Sequence, residues 1–266
     1  MTRTWWRSWP LLLVTTLVAL AVLAPLLAPY APDAVNLAQR RLPPTGAHWF
    51  GTDELGRDVL TRVWYGARVS LAVGVLSALL ASALGALIGG VGGYRRGWVD
   101  GLLMRLTDAM LAIPRLPLLM IAAAILQPSI PLLIVLVGVV GWMETARVVR
   151  ADVLSLSQRP FVEAARATGA RDARIVPVHI LPNAAPAMAV STTLAVGRGI
   201  LLESALSFFG VGVQPPAASW GNMLYQAQTT MTTEPWLALF PGVMIFVAVF
   251  SINVLGDRLA HRTSNA

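Results

Sequence analysis

The 266-residue chain has no cysteine and no lysine, and only 12% of its residues are charged. Without cysteine there is no disulfide, no thiolate metal site and no cysteine nucleophile. The three histidines, His48, His179 and His261, stand too far apart to suggest a metal centre. HExxH and GxSxG patterns are missing, and with them the signatures of zinc proteases and serine hydrolases. No GxxxxGK[ST] loop is present, so the chain brings no phosphate cradle with which to hydrolyse ATP itself. Soluble domains carry about 25% charged residues, so this chain is short of water-facing surface. With 56% hydrophobic residues and a mean hydropathy of +0.67, it reads as a membrane protein.

Every basic residue is therefore an arginine, and the formal net charge is +7. A basic balance can point to nucleic acid. Here the arginines lie in short segments between apolar runs, where membrane topology accounts for them and no nucleic-acid partner is expected.

A transmembrane helix needs about 20 mostly apolar residues. The sequence predicts six, at about 9–28, 69–93, 103–126, 130–143 and onward past Glu144, within 184–208, and 236–255. The third is the weakest, interrupted by Asp108, Pro114, Arg115 and Pro117, and Pro128 with Pro131 keeps the turn after it short. Arg3 and Arg7 before the first run resemble a signal peptide. The run exceeds the usual 7–15 apolar residues, and Pro25 and Pro29 follow the alanines where a peptidase would cut. A retained first helix is expected. With the N-terminus inside, the cytoplasmic segments hold 2, 3, 6 and 2 arginines, 13 in all, and the loops after the third and fifth spans hold none. The first external loop, with Arg40, Arg41, Arg57, Arg62 and Arg68, is the exception. The inverted arrangement would put the six-arginine segment outside, so both termini are expected in the cytoplasm.

Within the second span Gly74, Ala78, Ser82, Ala86 and Gly90 recur every four residues, as do Ala81, Gly85, Gly89 and Gly93. Membrane helices associate through close packing of small residues, so this span belongs inside the bundle. The fifth span carries Arg198 and Glu203, each costing roughly 2.5–3.5 kcal/mol at a bilayer centre. Five residues apart, they point in different directions on a helix. They must lie near an interface, face a wet path or meet partners on other helices; with Asp108 they are the candidates for a translocation path.

The stretch from Arg147 to Asn183 is basic and sits between nearly pure hydrocarbon. Pro160 fits a first helical turn, where its missing N–H is no loss. Gly169 fits the left-handed position that closes a helix. So short a helix is unstable alone and something must hold it. Glu163-Ala164-Ala165, then Gly169, then Leu181-Pro182 resembles the EAA loop of ABC importer permeases. His48 to Leu71, HWFGTDELGRDVLTRVWYGARVSL, and Leu202 to Leu224, LESALSFFGVGVQPPAASWGNML, resemble segments of the dipeptide, oligopeptide and nickel branch. In the first, the acids and Arg57 suit a salt-bridged turn with Gly51 and Gly56 as permissive backbone. In the second, prolines stiffen a loop and Trp220 suits a membrane interface. His179 stands where the general pattern has isoleucine, a form similar to the peptide and nickel branch.

The resemblance implies an all-α membrane protein of the type I importer permease fold. Six transmembrane helices are expected, with residues 1–65 as an N-terminal region and 66–266 as the permease domain. The cytoplasmic coupling loop, 144–183, would dock on an ATPase through Arg159, Phe161, Glu163, Ala164, Ala165, Arg166 and Gly169. It implies import of di- or oligopeptides, with nickel as the second substrate class. The partners implied are a second permease subunit, two ATPase subunits holding ATP and magnesium, and an extracytoplasmic binding protein. An ion-coupled secondary transporter would instead show midplane acids in paired half-repeats, and no internal repeat is visible.

Overall fold

The computed structural model describes the backbone of residues 5–127 and 129–264, and the side chains of 9–127 and 129–261. Arg3 and Pro128 lie outside the described residues, as do the side chains of Arg7 and Arg262. The helices are α1 Trp5–Leu27, α2 Val59–Arg95, α3 Gly97–Ala112, α4 Arg115–Leu126, α5 Ile130–Leu156 and α6 Pro160–Ala167. They continue with α7 Asp172–Ile175, a π-helical turn Val176–Ile180, α8 Leu181–Phe208, α9 Trp220–Ala227 and α10 Trp236–Ser264. Among the described residues there is no strand, only an isolated bridge between Thr52 and Asp58.

Among the described residues, five runs are long and apolar enough to cross a membrane: Trp9–Leu27, Val59–Arg95, Ile130–Leu156, Asp172–Phe208 and Trp236–His261. The third expected span differs. It is α3 and α4, bent by 82° at the break between them, and it makes a sixth span only if the pair is taken together. Ile113 precedes Pro114, whose ring disfavours the α conformation one residue earlier. Ile113 accordingly adopts φ −80° and ψ 126°, which ends α3.

Helix α2 starts at Val59 rather than near residue 69, so the division expected at residue 65 falls inside it. Asp58 sets that start: its Oδ2 accepts the Thr61 N–H at 2.8 Å, and its Oδ1 lies 2.9 Å from His48 Nδ1. Upstream, Asp53 accepts the backbone N–H groups of Leu55 and Arg57 at 2.9 Å each and the Arg57 Nε at 2.6 Å. The GTDELGRD segment is thus a salt-bridged turn. Gly56, at φ +71°, allows a close crossing, since a Cβ there would lie 1.8 Å from the Asn36 carbonyl oxygen.

The two small-residue rows of α2 face two different neighbours. A Cβ on Gly85 would lie 2.8 Å from the Trp142 carbonyl oxygen, on Gly89 2.3 Å from that of Ala146, and on Gly93 2.8 Å from that of Arg150. All three acceptors belong to α5. The other row meets α8: a Cβ on Gly74 would lie 2.5 Å from Ile200 Cγ1, and Thr192 donates to Ser82 at 2.7 Å. Helices α5 and α8 also touch, through Thr145 and Ser191 at 3.0 Å. These three helices form the centre, and α1 and α10 lie against it, with Trp9 stacked on Phe250.

Trp220 departs from its expected interfacial place. It is fully buried beside Ala67 and Ile200, and its indole N–H donates to the Val63 carbonyl at 3.0 Å. Its chain neighbour Ser219 caps α9, exchanging side-chain and backbone bonds with Asn222 in a capping box.

Candidate functional site

Helix α6 is bounded as the sequence predicts, with Pro160 in its first turn and Gly169 at φ +85° beyond its end. The Ala170 N–H bonds the Ala165 carbonyl and the Gly169 N–H bonds that of Arg166, each near 3 Å. That pair of bonds is the Schellman closure of a helix C-terminus.

One side of α6 is fastened to the bundle. Val162 is fully buried among Val149 and Val153 of α5 and Ile175 and Ile180 beyond the loop, with Ala165 and Ala170 packed beside them. Arg166 turns back rather than outward: it donates to the Tyr94 hydroxyl of α2 at 3.2 Å and lies over that ring. Tyr94 in turn donates to Asp172. Arg96 bonds Ser157 at 2.8 Å, and Arg150 grips Asp100 through two nitrogens at 2.5 Å. These ties supply the stability that so short a helix lacks alone. Tyr94, Asp172 and Val162 were not marked as loop anchors by any sequence pattern, because they act across the fold.

The opposite side of α6 is bare. Arg159, Phe161, Glu163, Ala164 and Gly169 are exposed, and Ala165 is half-buried. Phe161, Ala164, Thr168, Gly169, Arg174 and His179 line an open groove of about 600 Å³. Alanine and glycine leave room for another chain to approach the backbone, while Phe161 offers an apolar anchor and Glu163 a charge.

Three of the charges in the spans, Arg198, Asp108 and Glu203, meet partners on other elements. Arg198 of α8 pairs with Glu144 of α5, which also accepts from Arg115 at 2.8 Å. Asp108 of α3 pairs with Arg147 of α5. Glu203 does not face a wet path: it is fully buried, and Ser70 and Ser207 donate to it at 2.9 and 2.8 Å. Ser70 also accepts the Trp220 N–H, and Ser207 the Val213 N–H, so Glu203 ties α2 and α8 to the segment before α9. Hydrogen bonds from hydroxyls are what make a carboxyl group tolerable in a bundle interior.

Residues 60–265 match the family model described as binding-protein-dependent transport system inner membrane component. The chain is 41% identical over 250 residues to the dipeptide transport system permease protein DppC of Bacillus subtilis (strain 168), covering 94% of this chain and 78% of that protein. It is 36% identical over 249 residues to the oligopeptide transport system permease protein OppC of the same organism, covering 94% and 82%. Its fold is similar to a solved chain of the inward-facing MetNI methionine ABC transporter, with TM-score 0.57 and 19% identity over 77% of this chain and 95% of that one. The matched region runs from the start of α2 through α6 to α10, taking in the long helices after α1 and the short helix bared between two of them. The chain therefore belongs to the binding-protein-dependent transport system inner membrane components, the multi-pass permease subunits of ABC importers, whose ATPase is a separate subunit.

Proposed function

We propose that this chain forms one half of the passage of an ATP-driven importer of di- or oligopeptides. The observation that carries the coupling part is α6, fastened on one side by Val162 and Arg166 and bare on the other. The names of its relatives, dipeptide and oligopeptide permeases, support the substrate class. In this reading a second, homologous permease completes the passage, two ATPase subunits holding ATP and magnesium seat the coupling helices, and an extracytoplasmic binding protein delivers cargo. Arg159, Phe161, Glu163, Ala164, Ala165 and Gly169 form the docking face, and Arg166 positions it through Tyr94. ATPase closure moves α6, and the rods attached to it, α5 and the run Asp172–Phe208, carry that motion across the bundle to switch access.

The substrate reading is tested by uptake in proteoliposomes holding the full transporter and its binding protein. Labelled dipeptide or oligopeptide is expected to accumulate only with ATP. Nickel accumulation in place of peptide would overturn it.

Both termini are cytoplasmic in this reading, and 210–235 lies outside. The chain has no cysteine, so single-cysteine variants report cleanly. Ser219 is a poor reporter because it is buried as the α9 cap. Thr232 and His261 are exposed. An impermeant thiol reagent is expected to label Thr232→Cys in intact cells and His261→Cys only after lysis. The opposite pattern would invert the topology.

A further inference from the structure

Three charged residues from three different helices meet at one point of the bundle. Glu144 of α5 accepts from Arg115 at the start of α4 through one oxygen and pairs with Arg198 of α8 through the other. Two guanidinium groups share one carboxylate, leaving one positive charge in excess. The side chains stay 20%, 37% and 39% exposed for Arg115, Glu144 and Arg198. Among the described residues each guanidinium engages only Glu144, although a guanidinium has five N–H donors. Most of the donor capacity is unspent.

That exposed face does not belong in hydrocarbon. A charge at the bilayer centre costs roughly 2.5–3.5 kcal/mol even on the lenient insertion scale, and three lie here together. The Asp108–Arg147 pair, 57% and 53% exposed, continues the same row toward the cytoplasm. Glu144 and Arg147 are three residues apart on α5, hence neighbours on one helical face. Fully buried Glu203 shows that this fold can seal an unwanted charge, so the open row is a distinct arrangement.

We infer that the Arg115–Glu144–Arg198 triad lines the passage and is a transient binding point for the carboxylate of the cargo, an inference that rests on the peptide reading above. A peptide carries a C-terminal carboxylate that is ionised at neutral pH. Guanidinium forks match carboxylates bidentately. Glu144 holds the two forks apart and competes for them, so an arriving carboxylate exchanges places with Glu144 on one arginine instead of being trapped. A net positive point of this kind favours anionic ends of many cargoes without reading side chains, which suits a permissive passage.

The test uses Leu201→Cys, three residues beyond Arg198 on α8 and 48% exposed, in the assembled transporter. A sulfonate-bearing methanethiosulfonate is expected to react about tenfold faster than its trimethylammonium analogue, a difference of the size a nearby unit charge sets. Adding Arg198→Gln is expected to bring the ratio close to one. During turnover with ATP and binding protein, dipeptide is expected to slow labelling, and to slow it less in the Arg198→Gln background. Equal rates for the two reagents, or no reaction with either, would overturn the electropositive passage. Charge preference without protection, in a transporter that does import peptide, would overturn the cargo role. Absent peptide uptake by the unmodified transporter would instead remove the peptide reading, and with it this inference. Val148→Cys, 42% exposed and four residues from Glu144, gives the same comparison should Leu201→Cys misfold.

Discussion

Glu163→Arg is expected to lower ATP-driven uptake by on the order of 100-fold, about 2.7 kcal/mol, while the chain still reaches the membrane at its normal level. Glu163 is exposed on α6, and among the described residues it makes no hydrogen bond or ion pair. Its replacement leaves the hydrogen bonds and the buried Val162 contact that hold the loop in place, and removes only the charge that Glu163 sets near Arg166. At a docked interface, by contrast, reversing a charge sets like beside like and costs several kcal/mol. Gly169→Val acts by another route on the same surface. A β-branched residue at φ +85° meets the left-handed penalty of roughly 1–2 kcal/mol, so the Schellman closure opens and the end of α6 shifts. Uptake is expected to fall about tenfold, the factor that 1.4 kcal/mol represents. Uptake, binding-protein-stimulated ATPase activity and pull-down of the ATPases together check both variants. Normal values in all three would show that α6 is not the docking element.

Gly89→Ala is expected to destabilise the bundle by about 1–3 kcal/mol, whereas Gly90→Ala next to it is expected to leave stability level or raise it. The chemical change is the same and both lie in one helix, where alanine is favoured over glycine by about 1 kcal/mol. Only the surroundings differ. The new methyl at 89 would stand 2.3 Å from the Ala146 oxygen and 3.0 Å from the Arg150 nitrogen, both main-chain atoms that cannot swing aside. At 90 the nearest atom is Leu181 Cδ2, 3.8 Å away, an ordinary contact. Thermal unfolding of the purified chain in detergent compares the two directly. Equal melting temperatures would mean that the α2–α5 seam tolerates separation and that its glycines are not there for closeness.

Features written in short stretches were legible before the fold was known. Pro160 and Gly169 mark α6 because each answers a backbone requirement that does not depend on distant residues. The two small-residue rows of α2 announced a buried helix, since a four-residue repeat maps directly onto one helical face. Their division between α5 and α8 was not visible, because one row of glycines looks like another until its neighbours are placed. The 82° bend between α3 and α4 was half legible. Pro114 marks the break, but hydropathy sums along the chain and carries no direction. Arg198 and Glu203 stood out as charges the bilayer tolerates poorly. Their opposite fates depended on Ser70 and Ser207 for one and on Glu144 and Arg115 for the other. Ser207 is local, four residues along α8, but Ser70, Glu144 and Arg115 sit on other elements, beyond any local pattern. Trp220 was misplaced for the same reason: an indole suits an interface and a protein interior equally well until Val63 offers it a carbonyl.

The seam between α2, α5 and α8 has a calorimetric consequence. It is built from glycine-to-backbone contact and from hydroxyl pairs such as Ser82 with Thr192 and Thr145 with Ser191. Contacts of that kind gain dispersion energy and hydrogen bonding, not release of water, because the surfaces they cover are wetted by lipid when apart. The heat capacity of unfolding arises from exposing apolar surface to water. Separating this seam within a bilayer or micelle therefore adds little to it. What heat capacity the chain does show on unfolding should come from the water-facing parts, the cap around Asp53 and Asp58 and the core of the α6 loop. The stability of the spans themselves therefore changes almost linearly with temperature, and the curvature of the whole chain's stability comes from its water-facing parts.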